Sequence, residues 1–256
     1  MSAAVDIRKV RSVVSAEEWQ TRVDLAAAYR LVAHYGWDDM IFTHLSARVP
    51  GRDDHFLINP FGLLFEEVTA SNLVKVDFDG NVVQSSGYEA NAAGFTIHSA
   101  VHMARHDANA VMHLHTDAGV AVSGMACGLL PLNQHAMFVY HDVAYHEWEG
   151  VALNLDERTR LIADVGAKHL VVLRSHGTLA LGSSVASCFL RLYYLERACA
   201  IQVKTLCGGA THPVTQEAAD FMATMFGPPM VWDSLAATAW PALLRLMERR
   251  LPGFDQ

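Results

Sequence analysis

The sequence is poor in cysteine and in charged residues. Its 256 residues include four cysteines, Cys127, Cys188, Cys199 and Cys207, and no Cys-x-x-Cys pair. This usage excludes a disulfide-rich scaffold and a cysteine-rich zinc module, and it favours reduced thiols in a cytoplasmic protein. Charged residues make up 18% of the chain, below the roughly 25% of ordinary soluble domains.

Segments that would direct the chain to a membrane or to nucleic acid are also missing. Residues 1–11 lack the apolar core of a secretory signal, and no run approaches the roughly 18–20 apolar residues of a membrane span. The formal net charge of −8 is not offset by a basic patch, which argues against nucleic-acid binding. We therefore expect a cytoplasmic protein whose partner is a small-molecule substrate, with neither nucleic acid nor membrane as a partner.

Apolar residues are abundant instead and make up 52% of the chain, and the chain also contains 14 histidines. The apolar share provides material for one large core and suggests subunit interfaces as well. No linker-like stretch or internal repeat divides the chain, so we expect a single domain over residues 1–256. Within it, residues 1–14 are predicted to form a loose N-terminal arm and residues 208–256 a C-terminal extension.

Hydrophobic periodicity predicts alternating helices and strands. Ser15 and Glu18 form a capping box at the start of a helix that ends at Gly36. Asp79-Gly80, between two short apolar segments, predicts a β-hairpin. Further helices are predicted over 92–105, 118–125, 156–165, 185–206 and 235–251, and strands over 45–49, 56–58, 110–115 and 169–173. This interleaving is typical of a layered α/β domain, and the hairpin makes an all-parallel sheet unfavourable.

Three histidines occur where strands could bring them together. His113 and His115 are two apart on a predicted strand, so their side chains share one face while Met112 and Leu114 point to the other. His176 follows the strand 169–173 and precedes Gly177, which allows close backbone approach. Three imidazoles with one open position are a common ligand set of catalytic zinc.

Two other interpretations of the histidines stay open at this point. His98, His102 and His106 are spaced four residues apart on a predicted helix and form a rival set of ligands. Of these three, His98 is the one expected to approach the site and support the metal ligands. No His-Glu-x-x-His glutamate accompanies them, so a polar helix stripe explains them equally well. All of the histidines could also be structural, hydrogen-bonded core residues.

Four stretches together resemble one known family, the class II aldolase/adducin family. They are residues 43–48 (THLSAR), 58–80 (INPFGLLFEEVTASNLVKVDFDG), 93–118 (AGFTIHSAVHMARHDANAVMHLHTDA) and 174–182 (RSHGTLALG). The resemblance extends from about Trp19 to Leu206. The segments 59–64 and 93–96 are more similar to the adducin head branch than to the sugar-phosphate aldolases.

The resemblance implies a fold, an assembly and a set of site residues. The implied fold is a three-layer α/β/α sandwich around a mostly antiparallel central sheet, assembled as a homotetramer. Family enzymes hold zinc at the positions of His113, His115 and His176, and the zinc stabilises an enediolate during aldol cleavage. A tyrosine from a neighbouring subunit donates a proton in these enzymes, and Tyr145 matches that motif weakly.

The sequence also departs from the sugar-phosphate aldolases. Those enzymes place a glutamate, which is zinc ligand and general base, four residues before a helix histidine, and Gly94 occupies that position before His98. Glu89 is the nearest acid upstream and is the candidate substitute. His44 stands where those aldolases have asparagine, and residues 59–62 replace a turn of small residues. A phosphorylated sugar is therefore not the expected substrate.

Two different functions are compatible with these features of the sequence. The first is a zinc-dependent lyase, or a related epimerase or decarboxylase, that acts on a small hydroxy-carbonyl or hydroxy-acid compound through a metal-stabilised enediolate. The second is a non-catalytic, oligomeric adducin-like module, which Gly94 favours. Against the second, the C-terminal segment contains only a small basic cluster of Arg245, Arg249 and Arg250.

Overall fold

The computed structural model describes residues 7–84, 87–150 and 155–256. The helices within these residues are α1 (Ile7–Val13), α2 (Ala16–His34), α3 (Ala92–Ala104), α4 (Asp117–Ser123), α5 (Gln134–Val139), α6 (Glu157–Val165), α7 (Val185–Leu206), α8 (Gln216–Phe226) and α9 (Pro229–Arg250). The strands are β1 (His44–Arg48), β2 (His55–Ile58), β3 (Val74–Asp77), β4 (Val82–Gln84), β5 (Ala110–Leu114), β6 (Val143–His146), β7 (Leu170–Leu173) and β8 (Gly177–Gly182). Residues 1–6 of the predicted arm, residues 85–86 and residues 151–154 lie outside the described residues.

The eight strands form one mixed sheet in the order β4-β3-β2-β1-β5-β8-β7-β6. Six of the neighbouring pairs are antiparallel, and β6 with β7 is the parallel pair. The predicted hairpin is present as β3 and β4, with Gly80 in the left-handed region at a φ of 90°. The expected mostly antiparallel central sheet is thus confirmed.

Helices cover both faces of the sheet and make it the middle of three layers. On one face, α2, α5, α7 and α9 pack a large core against side chains such as Met112 and Leu114 of β5. On the other face, α3 and α6 pack against Val111 of the same strand. The alternation along β5 therefore follows the predicted strand parity, and the α/β/α architecture is confirmed.

The two terminal segments are partly helical. Within the predicted loose arm, residues 7–13 form the short helix α1. The predicted C-terminal extension consists largely of α8 and α9, and Pro229 stands at the first turn of α9, where its missing N–H costs nothing. Within the described residues, no helix has the length and apolar character needed to cross a membrane.

Helix α9 packs on the main body of the domain through its tryptophans. Trp232 is 1% exposed, contacts the rings of Tyr194 and Phe226, and donates its indole N–H to the Phe226 carbonyl at 3.1 Å. Trp240 donates to Asp24 of α2 at 2.9 Å. The C-terminal segment therefore shares the core of the domain.

We expect Trp232→Ala to lower the free energy of unfolding by about 3–5 kcal/mol, because it leaves a cavity where α7, α8 and α9 meet. Met230→Ala, at a side chain that is 73% exposed on the same helix, should change it by less than about 0.5 kcal/mol. Urea unfolding of both variants measures the difference. Equal, small effects would contradict the assignment of α9 to the core.

Candidate metal centre

The three predicted ligands meet at one end of the central strands. His113 lies in β5, directly opposite His44 of β1 and Leu179 of β8. His115 is one residue beyond the end of β5, and His176 lies in the tight turn between β7 and β8. Because β8 runs antiparallel to β5, the turn before β8 comes back to the end of β5. The pairing of two core strands thus brings the three imidazoles together.

Hydrogen bonds fix which ring nitrogen of each strand histidine carries the proton. Nδ1 of His113 lies 2.9 Å from the Thr178 carbonyl oxygen, which can only accept. Nδ1 of His115 lies 3.1 Å from a carboxylate oxygen of Asp39. Both Nδ1 atoms therefore donate, and in the neutral rings both Nε2 atoms present lone pairs. A carboxylate or carbonyl partner of this kind is typical of metal-binding histidines.

The distances among the free nitrogens fit a metal ion. Nε2 of His113 and Nε2 of His115 are 2.9 Å apart, so two hydrogen-bond acceptors face each other unless a cation or a proton lies between them. Ring nitrogens of all three histidines lie within 4.8 Å of one another. Tetrahedral zinc–nitrogen bonds of about 2.1 Å would set these separations to roughly 3.4 Å. Small side-chain adjustments would thus let His113, His115 and His176 bind one ion.

Burial keeps the rings of His113 and His176 neutral, which is the form that binds metal. Desolvation, together with the neighbouring imidazoles, lowers the pKa of His113 well below its usual value. The same causes lower the pKa of His176 to about 4. His113 and His176 therefore offer neutral nitrogens at physiological pH without competition from protons.

The backbone around the site is tightly constrained. A Cβ atom on Gly177 would lie 2.3 Å from the Leu114 carbonyl oxygen, so this glycine permits the close approach of β8 to β5. Three non-glycine residues among those described have positive φ angles: Met40 at 51°, Thr43 at 64° and Ser175 at 54°. All three flank the site, and Thr43 is β-branched, which makes its conformation especially unfavourable.

A cavity of about 290 Å³ opens beside the three histidines. Its apolar walls include Phe42, Ile97 and Trp148, and its polar groups include Asp39 and His44. A larger cavity of about 350 Å³ lies near the opposite end of β1, around Arg48 and Asp53, and its described lining residues include no histidine. Of these two cavities, the smaller one is lined by the three predicted ligands.

The two predicted catalytic residues lie away from this cavity within the chain. Tyr145, in β6, accepts a hydrogen bond from the Leu129 N–H at 3.0 Å and stacks beneath Arg174. Glu89 is exposed, and its carbonyl accepts from Phe61. Neither is among the described residues that line the cavity. A role for Tyr145 in a neighbouring subunit's site, and one for Glu89, stay predictions.

The rival histidine set does not converge. His98 and His102 project from α3 onto β1, where each lies within hydrogen-bond distance of Ser46 Oγ, and His98 also contacts His44. His106 is exposed beyond the end of α3. Among the described residues, His113, His115 and His176 form the one group with metal-binding geometry.

Sequence reasoning missed several supporting groups. His44 and Ser46 are two residues apart on β1, so both side chains face α3. Strand parity could have revealed this shared face. Asp39 precedes β1 and gives no comparable signal. Glu196, in α7, is fully buried and accepts hydrogen bonds from the hydroxyls of Thr116 and Thr178, which adjoin the metal centre. Burial raises the pKa of the Glu196 carboxyl to about 7.

The fold and the site together define an α/β/α protein with a cluster of three histidines at one end of its central strands. Residues 23–203 match the family described as Class II Aldolase and Adducin N-terminal domain. The chain belongs to this family.

Individual relatives come from both branches of the family. A protein of Caulobacter vibrioides named for the class 2 aldolases is 53% identical over 98% of both chains. Mouse alpha-adducin is 40% identical over 89% of this chain but only 33% of its own length. Among solved structures, an aldolase II superfamily protein from Pseudomonas syringae has a TM-score of 0.91 at 47% identity, covering 97% of this chain and 100% of that one. L-fuculose 1-phosphate aldolase from Glaciozyma antarctica has a TM-score of 0.82 at 29% identity, covering 92% and 93%.

We expect His176→Ala to weaken zinc affinity by at least about tenfold, because it removes one of three ligands. His106→Ala, which changes an exposed histidine outside the set, should leave the affinity unchanged. Competition between the metal-stripped protein and a chromophoric chelator gives both values. Equal losses in the two variants would show that the ligand set is wrong.

The Glu196 carboxyl should make the fold less stable as the pH rises. Its pKa is raised to about 7 in the folded protein from an ordinary value of 4.5, so its stabilising proton is lost as the pH rises towards and through 7. Between pH 5 and pH 8 this should remove about 2.5 kcal/mol from the free energy of unfolding. Glu196→Gln should lack this loss.

Urea unfolding of metal-free protein at both pH values measures the effect as the difference between wild type and variant. Other titrating groups cancel in that difference. The exposed Glu248→Gln is the matched control and should run parallel to wild type. Parallel curves for Glu196→Gln as well would contradict the raised pKa.

Proposed function

We propose that this protein is a divalent-metal-dependent lyase, with zinc as the metal, that cleaves or forms a carbon–carbon bond in a small hydroxy-carbonyl compound. The observation that carries the proposal is the convergence of His113, His115 and His176, with two Nε2 lone pairs facing each other at 2.9 Å. Three imidazole ligands would leave a fourth position for substrate or water. The similarity to an L-fuculose 1-phosphate aldolase supports the reaction class.

A divalent cation held there would act as a Lewis acid that polarises a carbonyl oxygen and stabilises the negative charge that develops on it. The residues of the chain orient and enclose the substrate. Asp39 holds the ring of His115 through its Nδ1 proton. Phe42, Ile97 and Trp148 form apolar walls that exclude water from the reacting end.

A single chain provides few acidic or basic side chains for proton transfer at this cavity. Asp39 is the carboxylate among the described residues that line the cavity, and it is already hydrogen-bonded to His115. Gly94 has no side chain to act as a base. We therefore propose a homotetramer in which Tyr145 of a neighbouring subunit completes the site, with Glu89 as the alternative group.

A second candidate function is a non-catalytic assembly module of the adducin type. The absence of a side chain at Gly94 favours it, as does the 40% identity to alpha-adducin. A related epimerase or decarboxylase would use the same metal centre with different proton donors. The intact ligand set favours an enzyme over a module that only assembles.

A screen of small aldehydes, hydroxy-ketones, hydroxy-acids and sugar acids tests the proposal. We expect turnover that is lost on chelation and restored by zinc. His115→Ala should lower kcat/KM by at least about 100-fold, because it removes a ligand and with it the Lewis acid. His106→Ala should keep full activity. Absence of metal-dependent turnover from a folded, zinc-loaded protein would favour the assembly module instead.

A further inference from the structure

A buried chain of hydrogen bonds connects α3 to the cavity through β1. Nδ1 of His102 lies 3.2 Å from the Ala108 carbonyl oxygen, and its Nε2 lies 2.8 Å from Ser46 Oγ. Ser46 Oγ also contacts Nδ1 of His98, whose Nε2 lies 2.8 Å from Nδ1 of His44. His44 then lines the cavity, with its ring centre 5.1 Å from that of His113.

The Ala108 carbonyl fixes the direction of every bond in this chain. It can only accept, so Nδ1 of His102 donates and Nε2 of His102 accepts. Ser46 must therefore donate its single proton to His102 and accept from Nδ1 of His98. Nε2 of His98 is then an acceptor, so Nδ1 of His44 must donate to it. For neutral rings, this leaves Nε2 of His44 with a lone pair.

All three rings in the chain are held neutral. Each is fully buried, and burial lowers the pKa of His102 to about 3, with the nearby Arg48 guanidinium acting in the same direction. Burial and neighbouring imidazoles lower the pKa values of His44 and His98 well below the ordinary value. A neutral ring cannot donate from both nitrogens, so the tautomers follow from the geometry.

The free nitrogen of His44 is available to a ligand. Among the described residues, no hydrogen bond to Nε2 of His44 is seen, and His44 lines the cavity. Gly94 gives the ring its space, because a Cβ atom there would lie 2.6 Å from His44 Cδ2. A side chain at position 94 and the His44 ring therefore exclude each other.

The Nε2 lone pair of His44 favours ligands that can donate a hydrogen bond to it. It can accept a hydrogen bond from a hydroxyl, but a phosphate dianion would place oxygen lone pairs against it. The cavity gives a phosphate no compensating charge, because neither lysine nor arginine is among its described lining residues. A site built to pair with a hydroxyl rejects analogues that lack it, since the buried acceptor then stays unpaired.

We propose that His44 is a specificity-determining residue that accepts a hydrogen bond from a free hydroxyl of the substrate, so that the site takes unphosphorylated hydroxy-carbonyl compounds. His98, Ser46 and His102 are positioning residues that hold His44 in the accepting tautomer. The choice of ligand rests on the proposed metal-dependent function, whereas the tautomer does not.

Neutron diffraction from deuterated, metal-free crystals tests the tautomer directly. We expect deuterium on Nδ1 of His44, His98 and His102 and none on Nε2 of His44. Deuterium on Nε2 of His44 would overturn the proposal, whatever the outcome of activity measurements.

Calorimetry with zinc-loaded protein tests the ligand, with dihydroxyacetone, hydroxyacetone and dihydroxyacetone phosphate as probes. The first two share a hydroxy-ketone group that can chelate a metal, and they differ in the second hydroxyl. Wild type should bind dihydroxyacetone about tenfold more tightly than hydroxyacetone, as expected for one hydrogen bond to a buried acceptor. It should also prefer dihydroxyacetone to the phosphate. His44→Phe, which keeps a ring over Gly94, should bind dihydroxyacetone and hydroxyacetone within about twofold of each other.

Substitutions at two buried serines test whether Ser46 acts by fixing the tautomer of His44 or only by packing. Ser46→Ala removes the hydroxyl that fixes the tautomers and should lower the tenfold preference to about twofold. Ser99→Ala is the matched control, because Ser99 is a buried serine of α3 whose hydroxyl donates, within the described part of the chain, to carbonyls of its own helix. It should keep the full preference.

The outcomes distinguish the two proposals. Equal affinities of wild type for dihydroxyacetone and hydroxyacetone would overturn the role of His44 and leave the lyase proposal standing. Tighter binding of the phosphate, or failure of zinc-loaded wild type to bind either hydroxy-ketone, would overturn the ligand class. Failure of the lyase proposal would appear separately, as absent metal-dependent turnover.

Discussion

The hydrogen bond from His113 to the Thr178 carbonyl connects the fold to the chemistry of the site. It joins β5 to β8, the two strands whose antiparallel pairing brings His176 to the end of β5. Because Nδ1 of His113 donates in this hydrogen bond, the Nε2 lone pair of His113 faces His115. The same contact thus fixes strand position and ring tautomer, and the metal-binding geometry depends on both. Glu196 supports it from behind by holding the Thr178 hydroxyl.

Two backbone carbonyls act in the same way on the two sides of the cavity. Thr178 orients His113 directly, whereas Ala108 orients His44 through Ser46 and two further imidazoles. In each case a group that can only accept determines the proton positions of rings that could otherwise adopt either tautomer. Neutral imidazoles would be poor at fixing one another, because each can reverse its role. A carbonyl at the end removes that freedom.

The sequence was sufficient to predict the layered fold, the hairpin and the three converging histidines. Strand parity determines the shared face of His113 and His115, and a glycine after His176 indicates close packing of the chain. The same parity places His44 and Ser46 on one face of β1, but it does not show that they contact the α3 histidines. Asp39 could not have been found in this way, because it lies in an irregular segment without periodicity. Long-range pairing decides which helix histidine meets which strand residue, and local patterns carry no information about it.

Backbone strain around the cavity shows that the surrounding structure holds an irregular segment in place. Met40 and Thr43 lie in the segment that carries Asp39 into β1, and Ser175 lies directly before His176. A left-handed conformation at a non-glycine residue costs on the order of 1–3 kcal/mol, so each persists only where its surroundings enforce it. Here the flanking strands β1, β7 and β8 are each hydrogen-bonded to neighbours on both sides in the sheet. The cooperative stability of the central sheet therefore holds the positions of Asp39, His44 and His176 at the cavity.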